Sequence, residues 1–169
     1  MDLFEALFTR RSIRKFTSEP VSDADLDKIL KAAMLAPSAH NCQTWRFIVV
    51  RDAAVKAEIA KRHPYAKMAE QAPVVIVVCG DTTAEKNAGF WVQDCSAAME
   101  NLLLAARGLN IGTVWCGLHP IEDRAAIVRE LLGIPGHIMP LGLAVLGHTD
   151  QPFFEADRYV ASKVHYDKW

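Results

Sequence analysis

Between Asn87 and Arg107 the chain carries only Asp94, Glu100 and Arg107 as charges, while Phe90, Trp91, Val92, Met99 and Leu102 to Leu104 point to every side of a helix. A helix that is apolar all round has to be buried. It therefore forms the centre of the domain or helps to build an interface between subunits, and Gly108 is expected to end it. With 169 residues the chain reads as one domain over 1–169. A chain of that size buries only part of its surface by itself.

Strands and helices alternate around this segment. Leu3, Phe4, Leu7 and Phe8 mark a short amphipathic helix over residues 2–9. Ser22, with Asp23 and Asp25 behind it and Leu26, Ile29, Leu30 and Ala33 at helical spacing, starts a second helix that Pro37 is expected to stop. Residues 46–50 and 74–78 are β-branched runs of strand length, with a helix near 53–62 between them. The second run is apolar on both faces, as an interior strand is. Residues 112–117 read as a short strand entering a tight loop, 120–132 as a helix with Pro120 in its first turn, and 141–146 as a last interior strand. The tail from Thr149 to Trp169 holds Phe153, Phe154, Tyr159, Tyr166 and Trp169, too many aromatic residues for a free tail, so it is expected to dock on the body or on a second subunit.

Composition removes several classes of function. Nineteen basic against 20 acidic residues leave a net charge of −1, which gives no basic excess for coating a nucleic acid or an anionic membrane. The apolar runs are far shorter than the ~20 residues of a membrane-spanning helix. The N-terminus shows no secretory signal pattern, so a soluble, cytoplasmic protein is expected. Cys42, Cys79, Cys95 and Cys116 form no Cys-x-x-Cys pair, so reduced thiols, rather than a zinc site or a disulfide framework, are expected. Glycine-rich dinucleotide and triphosphate loops and the serine-hydrolase elbow are all missing.

Two segments carry candidate chemistry. In Arg10-Arg11-Ser12-Ile13-Arg14-Lys15, an extended backbone puts Arg10, Ser12 and Arg14 on one face. Two guanidinium groups beside a hydroxyl suit a phosphate; a solvated basic patch is the plainer reading. In the loop 36–47, Ser38, Asn41 and Gln43 offer amide and hydroxyl groups to the edge of a heterocycle, or else form a helix cap and turn.

Taken together, these segments resemble the nitroreductase superfamily of FMN-dependent oxidoreductases. The resemblance rests on residues 10–16 (RRSIRKF) and on the Ala-Pro-Ser-x-x-Asn-x-Gln-x-Trp-x-Phe pattern at 36–47. It rests also on the Ala72-Pro73 entry to a strand, on Leu103 to Ala106 leading to Gly112, and on the closing residues 165–169. It implies an α+β fold, a central mixed β-sheet flanked by helices, and an intertwined homodimer that binds FMN at the subunit interface. By position, Arg10, Arg11, Ser12 and Arg14 would hold the phosphate or ribityl chain, completed by Arg158. Ser38, Ala39, His40, Asn41 and Gln43 match the polar loop near the flavin ring. Val114, Trp115, Cys116 and Gly117 match the segment whose backbone faces it. Thr44 departs from the family's usual proline, and the chain has little inserted helix to form a lid.

The implied activity moves reducing equivalents from NAD(P)H to nitro compounds, quinones or a related acceptor. The cofactor supplies the chemistry and the protein supplies binding, orientation and charge, so no catalytic side chain is assigned, though His40 is a candidate proton donor by residue type. The alternatives are a specialised flavoenzyme of the same fold, dehalogenating or flavin-modifying, and a flavin-binding protein without turnover. Elsewhere the plain readings are preferred. His63, His119, His137 and His148, each beside Pro or Gly, are surface turns. Asp94 is a hydrogen-bonded buried acid or an interface pair, and Trp91 belongs to the core or the interface.

Overall fold

The computed structural model describes residues 1–169. Its elements in chain order are α1 (Leu3–Thr9), α2 (Asp23–Met34), β1 (Trp45–Val50), α3 (Ala53–Arg62), β2 (Val74–Asp81), α4 (Trp91–Gly108), β3 (Gly112–Gly117), α5 (Glu122–Leu132) and β4 (Ile138–Gly147). Single 3₁₀ turns cover Ala39–Asn41, Lys67–Glu70 and Ala161–Lys163.

Helix α4 is the buried helix that the apolar run demanded. Of its residues only Gln93 and Gly108 are exposed. It begins at Trp91 rather than at residue 87. Its first turn has no capping side chain of its own; instead the Glu85 carboxylate accepts from the Trp91 and Gly89 amides at 2.6 and 2.8 Å, using the helix N-terminus as an anion site. Gly108 is the last residue of the helix, as expected, and the left-handed Asn110 (φ 58°) makes the turn that follows. At α5 Pro120 falls outside the helix, which starts at Glu122. Likewise α2 ends at Met34, before Pro37 is reached.

The sheet has the order β1-β2-β4-β3, with helices on both faces. One core joins α2 and α4 to Val74, Ile76, Val78, Ala144 and Leu146; the other packs Ile59 and Ala60 of α3 and Val128 of α5 on Val75, Val77, Cys79, Leu143 and Val145. Successive residues of a strand face opposite sides, so covering both faces buries every residue of β2. That is why its sequence shows no alternation.

All three strand pairings are antiparallel. The parallel part of the expected mixed sheet is one bridge, Ser12 with Thr113, where the Ile13 amide donates to Thr113 O at 2.8 Å. The pairing stops there because the next two amides, Arg14 and Lys15, donate to Gln151 Oε1 at 3.2 and 3.0 Å. Strand β3 is therefore an edge with the basic segment laid across it.

The two ends of the chain differ from this body. In α1 only Ala6 is buried, while Leu3, Phe4, Leu7 and Phe8 are exposed. The tail docks on the body only at its start, where Phe153 and Phe154 meet the guanidinium groups of Arg107 and Arg11 at 4.0 and 4.8 Å. Beyond it Tyr159, Tyr166 and Trp169 are exposed. No helix is long and apolar enough to cross a membrane.

Candidate functional site

Residues 10–14 leave α1 extended, and Ile13 is drawn into the core beside β3 while Ser12 and Arg14 stay outside. This anchoring divides the basic cluster between two cavities. Arg14 enters one of about 450 Å³, bounded by Pro64, Tyr65, Lys67 and Met68 on one side and by Val114 to Gly117 of β3 on the other. Arg10 and Arg11 line another of about 520 Å³ with Leu7, Phe8 and the tail residues Glu155 to Tyr159, Arg158 among them. Arg10 is paired there with Glu100 at 3.4 Å. Ser12 lines neither cavity; its carbonyl accepts from Arg14 Nη1 at 3.4 Å.

The first cavity has an apolar wall and two cations, Arg14 and Lys67, with no acid among its lining residues. Trp115 is held across the sheet: a Cβ at Gly142 of β4 would run into the indole ring, so only glycine leaves room for it. Trp115 and Gly117 also line a further cavity of about 500 Å³ with Val92, Ser96, His119, Pro120 and Leu141. Cys116 faces the segment 63–68 and donates from Sγ to Tyr65 O at 3.4 Å. Burial pushes its thiol up to about 11, so it stays protonated and unreactive near neutral pH.

The loop 38–43 lies apart from both cavities of the basic cluster, and none of its residues lines either. Its shape comes from its own polar groups. The Gln43 amide donates to Ser38 Oγ at 3.0 Å and the Gln43 side chain donates to Asn41 Oδ1 at 3.0 Å. The buried Asp94 of α4 accepts from the Ala39 amide at 2.9 Å and from Thr44 Oγ1 at 3.3 Å. Thr44, the departure from the family pattern, thus supplies a donor that proline lacks. His40, Asn41 and Gln43 all have left-handed backbone, with φ of 52°, 55° and 49°. Such strain in non-glycine residues persists only where surrounding bonds impose it. His40 lines a narrow crevice beside Phe90, and its Nε2 accepts from Asn87 Nδ2 at 3.0 Å.

Sequence reasoning missed the wall formed by residues 63–68. His63, expected at the surface, is buried. Its Nδ1 accepts from the Tyr65 amide at 3.2 Å, so Nε2 carries the proton and donates to Gly117 O at 3.2 Å. Burial holds it below the ordinary histidine range, reinforced by the charge of Arg124 and opposed by the bond to Gly117. His119 and His137 are exposed as expected. The signal available was Pro64-Tyr65-Ala66-Lys67, an aromatic ring and a cation just past the end of a helix.

The family model described as the nitroreductase family matches residues 7–63 and 59–148. The chain belongs to this family. A relative from Methanothermobacter thermautotrophicus, provisionally named an NADH dehydrogenase/NAD(P)H nitroreductase, is 46% identical over all of this chain and 88% of its own length. A crystal structure under the same provisional name, from Parabacteroides distasonis, superposes with a TM-score of 0.94 at 39% identity, covering 99% of this chain and 98% of that one. A nitroreductase-like protein from Desulfovibrio desulfuricans, crystallised with FMN, superposes at 0.85 with 31% identity over 100% of this chain and 98% of its own. Both structures match the chain over nearly their full lengths, so its shortness within the nitroreductase family is shared.

Proposed function

We propose that this chain is an FMN-dependent oxidoreductase that moves reducing equivalents from NAD(P)H to a nitro compound, a quinone or a related small acceptor. The observation that carries this reading is the cavity between residues 64–68 and β3, which combines apolar lining residues with two cations and no acid. Its volume, about 450 Å³, lies within the ~300–1,000 Å³ of small-molecule sites, and its donors fit a flavin. The electron exchange itself is the chemistry that bound FMN supplies.

The chain's own residues bind and orient. Arg14 and Lys67 bring positive charge into the cavity, which favours an anionic reduced ring. Amides along Val114, Trp115, Cys116 and Gly117 border the same space, while the indole of Trp115 turns to the other face of the sheet, over Gly142 and beside the 500 Å³ cavity. Arg10, Arg11 and Arg158 form the cationic end suited to a phosphate, with the exposed Ser12 hydroxyl between the two cavities along the chain.

The same reading makes the protein an intertwined homodimer. The exposed apolar side of α1 and the exposed aromatic tail support it, since apolar patches of this kind mark interfaces. So does the separation of the loop 38–43 from both cavities: Ser38, Ala39, His40, Asn41 and Gln43 of one chain would complete the site of its partner.

An absorption spectrum of the purified protein with added FMN, followed by anaerobic NADH and then NADPH, tests the reading. Flavin bands that bleach, and return when an acceptor is added, support it and identify the donor. A protein that takes up no FMN overturns it.

A further inference from the structure

The two walls of the 450 Å³ cavity come from segments about fifty residues apart, and few bonds join them. One is the thiol of Cys116 on Tyr65 O; another runs from the His63 ring to Gly117 O. This ring is almost wholly buried, yet both its nitrogens are used. Nδ1 holds the Tyr65 amide and Nε2 holds the carbonyl of Gly117. An imidazole joining two backbone segments in this way fixes one tautomer, and the bond to Gly117 fixes how the end of β3 lies against residues 64–68. A structural core position would be served by an apolar residue of the same size, without the cost of burying two polar atoms.

We infer that His63 is a positioning residue for the cofactor site, setting the separation and orientation of the two cavity walls through its neutral Nε2–H tautomer. This rests on the assignment of that cavity to the flavin. Protonation at Nδ1 turns an acceptor into a donor facing the Tyr65 N–H, which breaks one tie and frees residues 64–68. Binding of the cofactor to the tied form therefore opposes protonation, and acid weakens binding.

The charged and titratable groups around His63 are Arg124 of α5, stacked over the Tyr65 ring at 5.0 Å, Tyr65 and Lys67 of the adjoining segment, Cys116 of β3, and the pair Arg62 and Glu130 at 2.6 Å. Burial keeps the Cys116 thiol protonated, and the bond between Arg62 and Glu130 raises the one and holds the other below the usual carboxylate range. His63 is thus the member of this group that changes state as pH falls from neutrality.

Two measurements test the inference. Nitrogen-15 NMR of the full chain without cofactor reads the tautomer: an Nε2–H signal for His63 at pH 7 is expected, and an Nδ1–H or a charged ring overturns the inference whatever the cavity binds. Quenching of flavin fluorescence then gives the Kd for FMN between pH 7.5 and 4.5 in the wild type and in His63→Gln, whose amide keeps a donor for Gly117 O but does not titrate. The wild-type Kd is expected to rise by about threefold or more relative to the variant over that range. Parallel profiles overturn the inference while leaving the flavin reading intact, whereas no FMN binding by the wild type at any pH overturns that reading and this one with it. If His63→Gln does not fold, His63→Asn, which keeps an acceptor for the Tyr65 amide, takes its place in the same comparison.

Discussion

The body of the molecule, from α2 to β4, and its two ends obey opposite rules of burial. In the body most apolar side chains are inside: β2 is buried throughout, and of α4 only Gln93 and Gly108 are exposed. At the ends they are outside, with Phe4 at 65% and Trp169 at 101% relative exposure. The hydrophobic effect does not distinguish the two kinds of residue, so the difference says what each region packs against. The body is complete within one chain; the ends are shaped for contact with something the chain does not itself provide. The proposed site spans this division, since Arg14 and β3 belong to the body's surface while Arg10, Arg11 and Arg158 sit where α1 meets the tail.

The sharpest way to break this comparison is to remove a fully buried side chain from the body. Leu102→Ala in α4 is expected to lower stability by ~2–5 kcal/mol, read from urea unfolding, and a loss under 1 kcal/mol would show that α4 is not the packed centre. Next in size is Gly142→Ala. Its new methyl collides with Trp115, and overpacking of this kind costs ~1–3 kcal/mol. The displaced indole should also shift the backbone of β3 and so weaken FMN binding, and an unchanged Kd would show that the site does not depend on how β3 lies on β4.

Replacing Arg14 by Ala is expected to weaken FMN by ~1.5–3 kcal/mol, the range for hydrogen bonds to charged groups, with the gap from wild type widening as salt is lowered. Arg10→Ala should do the same if the cofactor's phosphate reaches the second cavity; an effect confined to Arg14 would restrict the site to the first.

The pH dependence of stability is a smaller effect, and its sign follows from burial. His63 binds its proton less readily in the folded chain than the 6.5 of an unperturbed histidine. The unfolded chain therefore holds more protons just below that pH, and stability falls as pH drops through it. Thermal melts of wild type and His63→Gln between pH 7.5 and 5 check this, the variant being expected to show the shallower decline. Smallest of all is Trp169→Ala. As the residue is fully exposed in the single chain, unfolding should change by less than ~0.5 kcal/mol, while the dimer dissociation constant rises. A stability loss without a change in dimerisation would mean the tail serves its own subunit.

Much of the body was legible in advance because its signals are local. The helix at 53–62 matches α3 residue for residue, and the runs at 74–78 and 141–146 lie inside β2 and β4. Gly108 does close α4, whereas Pro120 misleads, since taken alone it reads as a first-turn signal while α5 starts only at Glu122; the start of α4 at Trp91 depends on the Glu85 carboxylate, which no local pattern reveals. His63 was read as a turn because a histidine before a proline looks the same from the sequence whether the turn is covered or open.

By itself the sequence determined which stretches are strands and helices, that one helix had to be buried, and that residues 10–16 and 36–47 carry a family pattern, because periodicity and motif act over a few residues. The tertiary structure alone decided that β3 is an edge, that Arg10 and Arg14 part into separate cavities, and that Tyr65 and Lys67 face β3 across one of them. Those facts depend on contacts such as His63 with Gly117, 54 residues apart, and burial and charge at such a site are set by neighbours that only the folded chain brings together.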